Sequence, residues 1–124
     1  MAYDEALASR LRAVLAACLV ERSGTEAPPG VEEKRMFGGL TFMVGGQMCC
    51  GVFKDDLVVR IGPERFAEAV AEPHVRAMDF TGRPMTGMIQ VAPAGVTTAE
   101  ALAAWVQRGL DYVASHPRTA KRRR

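Results

Sequence analysis

Apolar residues recur at helical spacing near both ends of the chain. The first set falls at i, i+4, i+7, i+8, i+11 and i+12 and consists of Leu7, Leu11, Val14, Leu15, Cys18 and Leu19. This stripe predicts a helix from about Asp4 to Arg22, with Asp4 as its N-cap. The second set is Leu102, Val106, Leu110 and Val113. It predicts a last helix that begins after Thr97 or Thr98.

Between Glu32 and Ile61 the pattern changes to a period of two, which is typical of strands. Leu40, Phe42 and Val44 alternate with more polar positions, and Gly45-Gly46 follows them directly. Paired glycines suit a hairpin turn because both central residues of a type I′ turn need a positive φ. The connections are short, so this part of the chain predicts an antiparallel meander.

A second, shorter helix is predicted to begin at Gly62-Pro63-Glu64 and to end before Pro73. Two more strands follow, over residues 76–80 and 86–91. The whole order predicts an α+β domain of two layers. We expect an antiparallel sheet of about five to six strands, with helices at both termini and one between strands, all on one face.

Composition agrees with one soluble domain. The chain has 124 residues, of which 48% are hydrophobic and 24% charged, so it is too apolar to be intrinsically disordered. No apolar run is long enough for a membrane span, and the first ten residues do not resemble a secretory signal. Three cysteines are too few for a disulfide scaffold. These features predict a reduced, cytoplasmic protein.

The positive charge is concentrated at the C-terminus. Five of the sixteen cations follow His116: Arg118, Lys121, Arg122, Arg123 and Arg124. The remaining eleven cations face fourteen acids, so residues 1–116 have a net charge of −3. We expect residues 1–116 to form the domain and residues 117–124 a basic flexible tail. Such a tail is either a solubilising terminus or a weak contact to nucleic acid.

No residue pattern identifies a catalytic, metal or cofactor site. Cys49 and Cys50 are adjacent, so on a regular strand their thiols point to opposite faces. His74 and His116 have no nucleophile or second ligand at a suitable spacing. We therefore expect no enzyme, no metal and no cofactor, although a small enzyme with an unrecognised site stays an alternative.

Three arginines stand in unusual surroundings. Arg60 lies among apolar strand residues, so it either forms a structural ion pair with Asp79 or presents its guanidinium to a partner. We favour the ion pair. Arg83 directly follows a glycine, and Arg35 comes shortly before an aromatic residue and two glycines. Both are candidates for contact with a protein partner or nucleic acid.

Several segments together resemble the N-terminal domain of the TfoX/Sxy family. They are Arg35-Met36-Phe37-Gly38-Gly39, Val59-Arg60 followed by Gly62-Pro63, Met78-Asp79-Phe80 leading to Gly82-Arg83-Pro84-Met85, and the final helix with Trp105 and Gly109-Leu110. The resemblance extends over about residues 5–115.

The resemblance implies a small secretion-chaperone-like α+β fold in a bacterial protein, without a catalytic residue, metal or cofactor. Founding members of the family regulate natural competence, and the full-length regulators carry a second, helical domain. Because the basic tail stands where that domain would start, we expect a stand-alone domain. The expected function is a regulatory or protein-interaction module accessory to transcription, either monomeric or homodimeric. Weak nucleic-acid binding through the tail is the alternative, and no membrane contact is expected.

Overall fold

The computed structural model describes residues 3–23, 30–36, 38–79 and 84–115. The first half of the chain forms α1 (Glu5–Ser23), β1 (Val31–Met36), β2 (Gly39–Val44), β3 (Gln47–Phe53) and β4 (Asp56–Arg60). The second half forms α2 (Pro63–Val70), β5 (Val75–Asp79), β6 (Pro84–Val91), a 3₁₀ turn (Pro93–Val96) and α3 (Ala99–Ser115). No helix in these ranges is long and apolar enough to cross a membrane.

The strands form one open antiparallel sheet in the order β1-β2-β3-β4-β6-β5. The first four strands follow one another as a meander. β6 then inserts between β4 and β5, and α2 connects these two strands on the way. The predicted α+β class, with helices at both ends and one between strands, is confirmed.

The ends of the helices follow the sequence signals. Asp4 Oδ1 accepts hydrogen bonds from the backbone N–H groups of Ala6 at 2.9 Å and Leu7 at 3.2 Å, so Asp4 is the N-cap of α1. Thr98 Oγ1 accepts one from the N–H of Ala101 at 3.0 Å and caps α3. The hairpin between β2 and β3 turns at Gly45 and Gly46, whose φ angles are 59° and 84°. Both values lie in the region that a type I′ turn requires.

The two faces of the sheet differ in what covers them. The helix face, as we call the side against α1, α2 and α3, carries the main core. Its largest fully buried side chains are Phe42, Leu11, Leu15, Leu57, Ile89 and Leu102. The opposite face carries a smaller cluster with no helical residue, made of Val58, Met78 and Met88, with Met48 and Phe53 packed against it. Successive strand residues alternate between these faces, as the period of two predicts.

α3 lies very close to the middle of the sheet. A Cβ atom placed on Gly109 would stand 3.0 Å from the Cys49 carbonyl oxygen and 3.1 Å from the Cys49 Sγ. Glycine at this position therefore allows the helix backbone to approach β3. Gly109 is also one of the residues that carry the family resemblance, and this contact is a physical reason for it.

The expectation that the thiols of Cys49 and Cys50 point to opposite faces is wrong. The pairing of β2 with β3 shifts after Phe42, because Phe42 pairs with Cys50 whereas Met43 pairs with Met48. Cys49 is the extra residue of this β-bulge. Both side chains are completely buried in the core of the helix face. A period of two holds only where the register is regular, and the bulge breaks it.

Candidate functional site

The edge strand β1 is the most exposed element of the sheet. Side chains of residues 31–35 are all exposed, and the predicted contact residue Arg35 is among them. β1 pairs with β2 on one side, and none of the strands in the described ranges pairs with its other side. An open edge of this kind presents a row of backbone donors and acceptors to any partner.

α1 holds β1 from the helix face through an ion pair. Arg12 donates two hydrogen bonds to Glu33, from Nε to Oε2 at 2.6 Å and from Nη2 to Oε1 at 2.8 Å. The hydrogen bond from the guanidinium lowers the pKa of Glu33, and the same bond raises the pKa of Arg12. The Arg12 guanidinium also lies 6.0 Å from the centre of the Phe42 ring. Residues 12 and 33 are far apart in sequence, so no local pattern predicted this pair.

Arg60 stands at the end of β4 and is half-buried. Its guanidinium carbon lies 4.9 Å from the centre of the Tyr112 ring on α3. This cation–π contact was not predicted from the sequence. The backbone of Asp79 pairs with Pro84 in the β5–β6 ladder, but its side chain is outside the described residues. The Arg60–Asp79 ion pair therefore stays a prediction.

The other predicted contact residues are not part of the described structure. Arg83 lies in the gap between β5 and β6, and residues 116–124 follow α3. These positions include Arg118, Lys121, Arg122, Arg123 and Arg124. Contact of these residues with a partner or nucleic acid also stays a prediction.

A shallow cleft of about 120 Å³ lies between α2 and α3. Across it, Arg108 Nη1 donates a hydrogen bond to Glu72 Oε2 at 2.6 Å, and the same guanidinium stacks 4.3 Å from the centre of the Trp105 ring. Ligand pockets for small molecules are usually about 300–1,000 Å³. This cleft is smaller, and two of its charged groups, Arg108 and Glu72, already pair with each other. We interpret it as the junction between two helices.

A partly buried polar cluster on the opposite face was not predicted from the sequence. Asp56 Oδ2 accepts a hydrogen bond from Arg76 Nη2 at 2.9 Å and another from Gln90 Nε2 at 3.0 Å. The Gln90 residue is only 3% exposed, whereas the Arg76 side chain is 70% exposed. Asp56 thus connects a buried amide to a solvated cation. The signal in the sequence was a polar residue at a strand position between Ile89 and Val91.

The three cysteines are buried together in the core. Cys18, Cys49 and Cys50 are all free thiols inside the core of the helix face. A hydrogen bond with Cys49, together with burial, raises the pKa of Cys50, and burial raises that of Cys18. A reactive cysteine needs a lowered pKa and access to solvent, so these thiols do not resemble nucleophiles. No group of His, Cys, Asp and Glu side chains within the described ranges is arranged to hold a metal ion.

These features define a small α+β domain whose helices cover one face of an open antiparallel sheet. Its exposed edge strand carries charged side chains of both signs. Residues 25–113 match the family model of the TfoX N-terminal domain. The match covers more than half of the chain, so the protein belongs to this family. No curated protein and no solved structure matches the chain.

Proposed function

We propose that this protein is a non-enzymatic regulatory domain that acts through protein contacts, as an accessory to transcription in bacteria. The observation that supports it is the family match over residues 25–113, because the TfoX N-terminal domain is associated with competence regulation. Competence is therefore the first process to test.

Two features of the surface suit such a role. The exposed strand β1 offers backbone hydrogen-bonding groups, which extended segments of partners use to extend a sheet. Arg35 on this strand adds a guanidinium that is suited to a carboxylate of a partner. The proposal assigns Arg35 to partner contact, and it assigns Arg60 with Asp79 to the stability of the domain.

The test is genetic. The gene is deleted in its bacterial host, and the deletion strain is complemented with the full chain, with Arg35→Glu, or with the control Lys54→Glu. Transcript levels and the frequency of DNA uptake are measured under the same growth conditions. We expect the deletion to change a defined set of transcripts, and we expect the full chain and Lys54→Glu to restore them.

Arg35→Glu should restore the transcripts less well, at an equal level of protein. Lys54 is a suitable control because it is exposed and lies in the turn between β3 and β4, away from β1. An unchanged set of transcripts in the deletion strain would contradict the regulatory role. Equal rescue by both variants would contradict the assignment of Arg35.

A second candidate function is weak binding of nucleic acid, which the basic composition of residues 118–124 favours. Binding of a DNA duplex is measured by fluorescence anisotropy at about 50 mM and about 200 mM salt. We expect any binding to weaken with salt and to disappear when residues 118–124 are deleted. Tight binding by the truncated protein at physiological salt would instead place the binding surface on the folded domain.

A further inference from the structure

The open edge of the sheet carries its charges in an ordered way. Along β1 the two acids Glu32 and Glu33 come first, and the two bases Lys34 and Arg35 follow. All four side chains are exposed. We propose that β1 is a self-association surface, through which two copies of this protein join their sheets by antiparallel pairing of β1 with β1. The inference does not depend on the regulatory role proposed above, and a second copy would compete with any other protein for this edge.

Antiparallel pairing sets the acidic half of one strand against the basic half of the other. Symmetry restricts the register, because a two-fold axis that reverses the strands must stand perpendicular to the sheet. Directly opposed side chains then point to the same face of the joined sheet. Because side chains alternate between the faces along each strand, the residue numbers of an opposed pair differ by an even number. With Glu33 at the axis, Glu32 lies opposite Lys34 of the second copy, and this pair occurs twice. Opposite charges in such cross-strand pairs stabilise a sheet.

The residue at the axis faces the same residue of the second copy. Two acids without neighbouring cations would repel each other there. Glu33, however, is held by Arg12 of its own chain at 2.6 Å. Two Arg12–Glu33 pairs would therefore meet at the axis, so each of the two facing carboxylates keeps a guanidinium of its own chain. If Lys34 stood at the axis instead, two lysines would face each other, and no ion pair of Lys34 is found in the described residues. This difference favours the register centred on Glu33.

A parallel arrangement of the two edges is much less favourable. In register, it would set each acid beside an acid and each base beside a base. Like charges in directly neighbouring strand positions are destabilising. The order of the four charges therefore selects the antiparallel arrangement.

Exposed apolar side chains lie on β1 and on α1, the helix whose Arg12 binds Glu33 of β1. Within the described residues, the large hydrophobic side chains classed as exposed are Val20 on α1, at 43%, and Val31 on β1, at 41%. In the proposed register Val31 lies opposite Arg35 of the second copy, whose aliphatic stem can cover it. The two-fold axis also brings both copies of α1 to the same side of the joined sheet.

The opposite edge of the sheet differs. At that edge α2 packs on β5 and β6, and the exposed Arg76 side chain of β5 is bound to Asp56. The acid-to-base order of β1 is not repeated in the sequence of β5, which reads VRAMD. Of these two edge strands, β1 is therefore the one whose charges are complementary to those of a second copy.

The test is sedimentation equilibrium of the full chain in low salt and under reducing conditions. One strand from each copy makes a small interface, so we expect a weak dimer that dissociates on dilution between about 1 mM and about 10 μM. Lys34→Glu and Glu32→Lys each replace both opposite-charge pairs by like-charge pairs. Each variant should raise the dissociation constant by about tenfold or more.

Two further experiments test whether the Glu32–Lys34 pairs themselves stabilise the dimer. The double variant Glu32→Lys/Lys34→Glu exchanges the two charges and should dimerise again. An equimolar mixture of the two single variants should form a one-to-one complex. Lys54→Glu is the matched control for Lys34→Glu, because it makes the same change of net charge at an exposed position in the turn between β3 and β4. Circular dichroism verifies that every variant is folded.

Several results would overturn the proposal. A wild-type chain that stays monomeric up to about 1 mM excludes self-association of useful strength. A dimer that persists equally in both single variants places the interface elsewhere. Failure of the exchanged double variant and of the mixture to recover the dimer, with all variants folded, excludes the Glu32–Lys34 pairing.

Discussion

The two faces of the sheet bury different kinds of side chains. The helix face buries aliphatic side chains and Phe42 under three helices. The opposite face buries mainly methionines beside a valine, and next to them it holds the hydrogen-bonded cluster of Asp56, Arg76 and Gln90. Branched and aromatic side chains specify close packing, whereas methionine adapts to irregular space. We infer that the helix face supplies most of the stability, and the following predictions test this difference.

The largest effect is expected for Phe42→Ala on the helix face. Phe42 is fully buried in β2, so its truncation leaves a cavity in the core of the helix face. We expect the free energy of unfolding to fall by about 3–5 kcal/mol. Urea denaturation followed by circular dichroism measures this loss. A loss below about 1 kcal/mol would contradict the importance of the helix face.

On the opposite face, Met88→Ala should cost less. Met88 packs with Val58 and Met78, where no helix of the described structure covers the sheet. The neighbouring side chains are flexible and can partly fill the space, so we expect a loss of about 2 kcal/mol. The same denaturation experiment measures it. A loss as large as that of Phe42→Ala would show that the faces are equally important.

Arg60→Ala tests a residue that the sequence analysis assigned to stability. We expect a loss of about 1–3 kcal/mol, because in the predicted ion pair the carboxylate of Asp79 would be left without its cation. A double-mutant cycle with Asp79→Ala should give a coupling energy of about 1 kcal/mol. A parallel cycle with Tyr112→Leu measures the cation–π contact seen in the structure. Coupling to Tyr112 alone would refute the ion pair.

Within the polar cluster of the opposite face, Asp56 should contribute more to the stability of the protein than Arg76 does. Asp56→Ala removes the acceptor of a hydrogen bond from the buried Gln90, so we expect a loss of about 1–2 kcal/mol. Arg76→Ala changes a solvated side chain and should stay within about 0.5 kcal/mol. Thermal unfolding of both variants beside the wild type measures the difference. Equal losses would mean that the salt bridge matters more than the buried amide.

The smallest effect is a pH dependence at the Arg12–Glu33 pair. The pKa of Glu33 is lowered in the folded protein, so the pair contributes stability above the ordinary glutamate pKa, and this contribution is lost as the pH falls through the folded pKa. Both side chains are partly solvated, so Glu33→Gln should cost less than about 1 kcal/mol at neutral pH. The difference should vanish well below the ordinary pKa of about 4.3. Unfolding curves at several pH values measure it, and a difference that grows in acid would contradict the assignment.

The local structure could be predicted from the sequence because its signals are local. Asp4 and Thr98 cap helices, Gly45-Gly46 makes a hairpin, and Pro63 begins α2, all of which follow from residue chemistry at single positions. The β-bulge at Cys49 could not be predicted, because it depends on the register of two strands. The insertion of β6 between β4 and β5 likewise depends on distant pairing.

The candidate surfaces were only partly predictable for the same reason. Arg35 was singled out by its neighbours, and it does lie exposed on the edge strand. The ion pairs Arg12–Glu33, Arg76–Asp56 and Arg108–Glu72 join residues about twenty or more positions apart. Charged residues are frequent on any surface, so such pairs leave no recognisable spacing in the sequence.

The position of β6 has a consequence for how the chain folds. The first four strands pair only with neighbours in sequence, so their ladders close over short loops. The second edge of β4 is paired only when β6, a strand about thirty residues further along the chain, has docked on it. Pairing across such a separation has a larger entropic cost and is slower. We therefore expect the meander to form first, and the docking of the β5–β6 hairpin on β4 to limit the folding rate.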